Sequence, residues 1–181
     1  MAVQVQEVSA DYTDMISEAE YQEFLRYDGS DQDNVLPIML ESAIRQAEQY
    51  CNASFGNKEY IALFDNAEGG RRYYLPFGKI RAVNTVYSID SDNVATEITT
   101  GFTVYGLDRK YIVFISAGMY RVEYTAGNAT PSDVDKAVKA AILQILSESW
   151  ERRDEVLVGE SLAMIPRPAA TKLSPYRLNI L

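Results

Sequence analysis

Residues 118–150 read GMYRVEYTAGNATPSDVDKAVKAAILQILSESW, and the fold turns on a change of rhythm inside them. Tyr120, Val122 and Tyr124 alternate with Arg121 and Glu123, the period of two of a strand with one buried face. Beyond Gly127 the apolar residues Val134, Ala137, Val138, Ala141, Ile142, Ile145 and Leu146 recur three and four apart, a helical stripe that Trp150 extends. Thr130-Pro131-Ser132-Asp133 supplies a cap, a proline for the first helical position and an acid for the first turn, so the helix is expected to open there. Some 20 residues at 1.5 Å each predict a rod of about 30 Å.

Upstream, residues 58–125 are β-branched and aromatic, punctuated by Gly, Asn and Asp, and predict strands near 58–64, 72–76, 80–90, 95–99, 102–106, 109–115 and 119–125. Short spacings and the turn Ser116-Ala117-Gly118 favour antiparallel hairpins. Before them, Leu36, Leu40, Ala43, Ile44, Ala47, Tyr50 and Cys51 form one apolar stripe, predicting a helix from about Asp33 to Asn52 with Pro37 in its first turn. Ser17 and Glu20 make a capping box for a shorter helix to about Arg26, with Tyr21, Phe24 and Leu25 on its buried side. The expected class is α+β. Its core would be two N-terminal helices and one long C-terminal helix, with an antiparallel β insert and an extended C-terminal tail. The divisions are an N-terminal arm (1–16), the helical part of the core (17–57), the β insert (58–127), the long core helix (128–155) and a docking tail (156–181).

The 181 residues suit one domain, long enough to bury about two-thirds of its unfolded surface without disulfide or metal. Histidine is absent and Cys51 is the one cysteine. Ser-His-Asp and Cys-His catalysis, His-containing zinc sites and internal disulfides are thereby excluded. A chain without histidine is consistent with a protein that does no proton-transfer chemistry. Residues 1–60 hold 12 acids against 3 bases and account for the whole net charge of -9, whereas residues 61–181 hold 14 of each. Such an acidic body does not invite wrapping by DNA, which needs clustered Lys and Arg. The opening MAVQVQEVSADY lacks a basic stretch and apolar core of the kind a signal peptide needs. No apolar run reaches the roughly 20 residues of a membrane span.

Candidate chemistry is thin. Asp28, Ser30, Asp31 and Asp33 have the oxygen ligands calcium favours, but the twelfth position of an EF-hand counted from Asp28 is Met39 where a Glu is required. Gly69-Gly70-Arg71-Arg72 lacks the Lys-Ser/Thr ending and following helix of a phosphate loop, and a hairpin turn is expected there. Glu148, Glu151, Asp154 and Glu155 read better as an exposed helix face beside Arg152 and Arg153 than as a paired-carboxylate hydrolase site. Cys51, at the end of its stripe, reads as a small buried residue. The 13 tyrosines fit half-buried strands, or an interaction surface. The apolar tail residues Leu173, Tyr176, Leu178, Ile180 and Leu181 need a dock, on the chain's own body or on a partner.

Four pieces in order resemble the head–tail connector family of tailed phages, also called adaptor or head-completion proteins. The first is Glu23-Phe24-Leu25-Arg26-Tyr27-Asp28, an acidic turn and the long helix Leu36 to Cys51. The second is Leu75-Pro76-Phe77-Gly78-Lys79-Ile80 leading into Val83-Asn84-Thr85-Val86-Tyr87. The third is Val122-Glu123-Tyr124-Thr125-Ala126-Gly127, then Pro131 and a helix with Ala140-Ala141-Ile142-Leu143 and Trp150-Glu151-Arg152-Arg153. The fourth is Leu173-Ser174-Pro175-Tyr176-Arg177. With the short helix that carries the first, the pieces span nearly all of residues 17–177; the acidic arm and the end after Arg177 lie outside them.

The resemblance implies a structural virion protein, not an enzyme, with no cofactor and no metal. Copies would form a homo-oligomeric ring, typically dodecameric, beneath the portal protein. The ring would extend the channel through which genomic DNA passes without specific binding, and would dock a tail, neck or nozzle protein, away from any membrane. The ring helices would contribute Leu36, Leu40, Ile44, Val138, Ile142, Ile145 and Trp150. The portal interface would fall on Leu173, Pro175, Tyr176 and Arg177, with Leu178, Ile180 and Leu181 beside them. Asp28, Asp31, Asp33, Glu41 and Glu48 are the candidate channel-facing acids. The alternatives are a tail-completion or tail-terminator neck protein and, less favoured, a carboxylate-based cell-wall hydrolase.

Overall fold

The structure, a computed structural model, describes residues 3–27, 35–152 and 165–178. Eight strands and four α-helices form among them: β1 Val3–Asp11, α1 Glu18–Leu25, α2 Leu36–Cys51, β2 Asn57–Ala67, β3 Arg72–Tyr74, β4 Ile80–Ile89, β5 Ala95–Glu97, β6 Phe102–Tyr105, β7 Tyr111–Phe114, β8 Gly118–Ala126, α3 Lys136–Glu151 and α4 Arg167–Leu173. The chain divides into two compact units, one of Met1–Asp11 with Ser54–Ala129, the other of Tyr12–Ala53 with Thr130–Leu181.

The first unit is all antiparallel strand. A five-stranded sheet runs β1-β2-β8-β4-β5 and a three-stranded one β3-β7-β6. β8 is central because its alternating face is apolar throughout: Tyr120, Val122, Tyr124 and Ala126 are buried, with Tyr124 opposite Tyr60 on β2 and Val122 opposite Val86 on β4. The core cluster draws on both sheets, Phe64 meeting Phe114 edge-on at 5.8 Å and Phe114 stacking on Tyr120 at 3.9 Å. Each such aromatic pair adds about 0.5–1.5 kcal/mol beyond the area it buries.

Two expected hairpin turns prove to be corners between sheets. The Gly69-Gly70 link joins β2 to β3 and the Ser116-Ala117 link joins β7 to β8, each crossing from one sheet to the other. The corners touch: the Gly70 amide donates to the Phe114 carbonyl at 2.8 Å, and a Cβ on Gly69 would collide with the Ile115 carbonyl oxygen. Only glycine allows that approach. At the end of β8, Gly127 has φ +81° and comes so close to the Gly56 carbonyl that a side chain there would collide with it.

The second unit is helical. α2 packs on α3, and α4 packs on both. Leu36, Ile44, Val138, Ile142 and Ile145 are buried to 2% exposure or less, whereas Leu40 and Trp150 are half-buried, Trp150 meeting Tyr27 edge-on at 5.5 Å. Full burial of each such aliphatic side chain is worth about 1.5–3 kcal/mol. α1 keeps the capping box, Ser17 Oγ accepting from the Glu20 amide and the Glu20 carboxylate accepting from the Ser17 amide at 2.7 Å. Tyr21 alone of the three expected apolar residues is buried; Phe24 is 45% exposed and Leu25 half-buried.

The expected helical core with one long C-terminal helix and a β insert is therefore overturned. The chain is α+β, but antiparallel sheet dominates and the helices are short, at eight, 16, 16 and seven residues. Two local causes shift the balance. Pro131 opens a 3-10 turn, Pro131–Asp133, after which Val134 is extended; Asp135 then caps α3 by accepting from the Ala137 amide at 2.8 Å. In addition, residues 3–11 pair with β2 as an edge strand, bulged between Glu7 and Ser9. Buried Lys58 holds Glu7 at 2.8 Å across that pairing.

Candidate assembly interface

Each expected interface residue of the tail within 165–178 lies against the chain's own helical unit or on its surface. Leu173, the last residue of α4, has no exposed surface and its carbonyl accepts from the Cys51 thiol at 3.6 Å. The chain then makes a 3-10 turn, Ser174–Tyr176, and straightens. The Leu178 amide donates to the Cys51 carbonyl at 2.8 Å, and Asn52 Nδ2 donates to the Leu178 carbonyl at 3.4 Å. The end of α2 makes this possible: Asn52 sits in the left-handed region at φ 51°, which turns its side chain out of the helix as a C-cap.

Side chains on this clamp differ in what they offer. Arg177 is exposed and its guanidinium lies 5.4 Å from the Tyr50 ring centroid. Pro175 is exposed, Tyr176 and Leu178 half-buried. Burial and a hydrogen bond with Asp135 push the Tyr176 phenol above its ordinary value. Burial pushes the Cys51 thiol up to about 11, against the opposing pull of the Arg177 charge. A neutral, buried thiol is inert, in keeping with the reading of Cys51 as a packing residue. Ile180 and Leu181 lie outside the described residues.

The acids divide in the same way. Asp28, Asp31 and Asp33 lie outside the described residues. Glu41 is exposed and pairs with Arg45 one turn on at 2.9 Å. Glu48 is 6% exposed and accepts from the Tyr12 hydroxyl at 3.0 Å, so it faces its own unit. The stripe had hidden this, because Glu48 sits beside Ala47 and Cys51 on the buried face. Among the described residues no group of three or more His, Cys, Asp or Glu could hold a metal ion, and no helix is long and apolar enough to cross a membrane. The residues that sequence reasoning missed are Asn52 and Tyr50, the receivers of the tail; an Asn just past a helical stripe is a recognisable C-cap signal.

Solved chains share this fold. One from the neck of an empty gene transfer agent particle, solved with C6 symmetry, superposes with a TM-score of 0.79 at 19% identity, over 98% of this chain and 97% of that one. One from the virion of the native gene transfer agent particle gives 0.78 at 20% identity over the same shares, and one from the native neck, solved with C12 symmetry, 0.77 at 19% over the same shares. No curated protein matches the sequence. The family model described as head completion protein matches residues 14–180, which takes in both helical segments, all strands but β1 and the clamped tail. With that span matched, the chain belongs to the head completion protein family.

Proposed function

We propose that this chain is a non-enzymatic adaptor of a virion neck, whose copies form a ring beneath the portal, extend the DNA channel and present a docking surface to tail or neck proteins. The observation that carries the reading is the family match over residues 14–180. The likeness of fold to neck chains solved with C6 and C12 symmetry supports a ring, and a dodecamer in particular.

The mechanism is physical. The exposed part of the tail clamp, Pro175, Arg177 and the edges of Tyr176 and Leu178, is the portal-facing surface, with Ile180 and Leu181 beyond it. Leu173 serves as its anchor within the helical unit. Repetition around a ring turns a modest contact into avidity. Glu41, with Asp28, Asp31 and Asp33, lines the channel, where like charge keeps DNA from adhering. Co-purification with isolated portal protein tests this: Arg177→Glu with Pro175→Ser is expected to lower portal capture at least tenfold with melting temperature unchanged. Full capture would move the portal contact elsewhere.

A further inference from the structure

The exposed face of the three-stranded sheet carries a row of tyrosines, separate from those of the core cluster. Tyr74 on β3, Tyr111 on β7 and Tyr105 on β6 stand opposite one another in register. Tyr74 and Tyr111 have ring centroids 5.4 Å apart, and Tyr105 stacks on Tyr111 at 5.2 Å and 20°. Arg109 lies 4.6 Å over the Tyr74 ring and Arg72 5.4 Å over Tyr111. Tyr74 and Tyr105 are 44% and 47% exposed, and Leu107 in the β6–β7 turn is 85% exposed. The strands β3, β6 and β7 contain no acid; Asp108, in the turn, is the nearest in sequence.

Such a face suits a protein partner. Exposed tyrosines offer large, stiff contact area, and an arginine stacked on a ring keeps its donors for a carboxylate while losing little hydration. Duplex DNA would need a broad field of Lys and Arg, and here Arg72 and Arg109 lie on the rings while their neighbours are engaged, Arg71 with Glu68 and Lys110 with the Ile80 and Leu107 carbonyls. The complementary surface is in the same chain. α1 reads EAEYQEFL, with three Glu and no base, and Glu20, Glu23 and Phe24 are exposed on one side of it at helical spacing. Phe24, 45% exposed, is the aromatic one of the large apolar side chains that the helical unit leaves at its surface among the described residues; Val35, before α2, and Ile38, on it, lie off α1 and its cluster of acids.

We infer that the Tyr74–Tyr111–Tyr105 face receives α1 of a second copy, with Phe24 lying on the tyrosines and Glu23, with Glu20 beside it, pairing with Arg109 and Arg72. This rests on the ring reading and names one of its contacts. The two surfaces differ, so the contact is head-to-tail, the kind that repeats around a ring.

The test uses the full chain carrying Glu23→Cys and Arg109→Cys, oxidised in air with copper phenanthroline; Cys51 is buried and stays silent. The expected result is a covalent ladder of dimer, trimer and higher species, with either single variant staying monomeric because its cysteine faces no second one across a head-to-tail contact. Monomer alone, a fast-migrating internally bridged monomer, or dimer alone overturns the inference. In a second arm Arg109→Glu is expected to weaken self-association at least tenfold and Glu23→Arg to restore it to within threefold. Loss of duplex DNA binding by Arg109→Glu with self-association untouched overturns it in favour of nucleic acid. A ring seen in assembled particles without the ladder overturns the contact and leaves the ring standing; assembled particles without a ring overturn both.

Discussion

The Leu178 amide donates to the Cys51 carbonyl at 2.8 Å, and the Asn52 side chain returns to the Leu178 carbonyl at 3.4 Å, so both backbone groups of Leu178 are held by the end of α2. Of the two docks the sequence leaves open for this apolar segment, the chain's own helical unit takes Leu173 and the Leu178 backbone. The anchor and the exposed surface are different residues and can be separated by substitution.

Leu173→Ala removes a side chain with no exposed surface, and its cost is set by lost transfer energy plus the cavity left behind. Urea denaturation is expected to show a loss of about 2–5 kcal/mol with an unchanged m-value. A loss below about 1 kcal/mol would mean that α4 does not pack as described.

Asn52 does two things, tolerating the left-handed conformation and holding Leu178. Asn52→Gly keeps the first and removes the second. Hydrogen exchange at the Leu178 amide is expected to quicken in Asn52→Gly with the global melting temperature nearly unchanged. Equal protection in both proteins would show that the Asn52 side chain does not hold the tail.

Cys51 reports on the same clamp. Burial holds its thiol near 11, so at pH 8 a disulfide reagent is expected to label native protein far more slowly than unfolded protein. Truncation after Leu173 removes Leu178 and Arg177 and is expected to speed labelling at least tenfold. An unchanged rate would mean that residues 174–178 do not cover Cys51.

Glu20 gives a pH signature. Its carboxyl is held below the ordinary value of 4.5 first by the Ser17 amide, then by the Ser17 hydroxyl, with Lys139 assisting and slight burial opposing. A carboxyl depressed in the folded state contributes stability that is whole above about pH 4.5 and is lost as pH falls through its lowered folded value. Melting curves from pH 7 to pH 3 should show wild type losing more than Glu20→Gln, which keeps a capping acceptor without the charge. Ser17→Ala is expected to cost about 1 kcal/mol at pH 7. Parallel curves for wild type and Glu20→Gln would contradict the assignment.

What was legible in sequence were features with one dominant local cause. The Ser17–Glu20 box and the alternation Tyr120, Val122, Tyr124 appear where expected, because a cap and a two-faced strand are each written into four or five adjacent residues. Strand β1 was less legible: Val3-Gln4-Val5-Gln6 alternates, but the bulge at Glu7/Ser9 breaks the phase and the strand is an edge with little buried surface. α3 starts later than the sequence predicts because proline suits a 3-10 turn as well as a first helical position, and Asp135 competes as the cap. The two glycine-containing turns could not be told from hairpins, since changing sheets is a non-local choice made by the packing of Phe64, Phe114 and Tyr120. For the tail, the sequence names Leu173, Pro175, Tyr176, Arg177, Leu178, Ile180 and Leu181, but which of the described ones are buried and which are exposed depends on Cys51 and Asn52, more than 120 positions away.

The central claim is that copies of this chain form a ring between portal and tail, and electron microscopy of the assembled particle tests it most directly. The account predicts a closed ring of this fold directly below the portal, with Pro175 and Arg177 of each copy at the portal contact and Leu173 still packed beside Cys51. Density placing the chain outside the neck, or as single copies without ring symmetry, would contradict it.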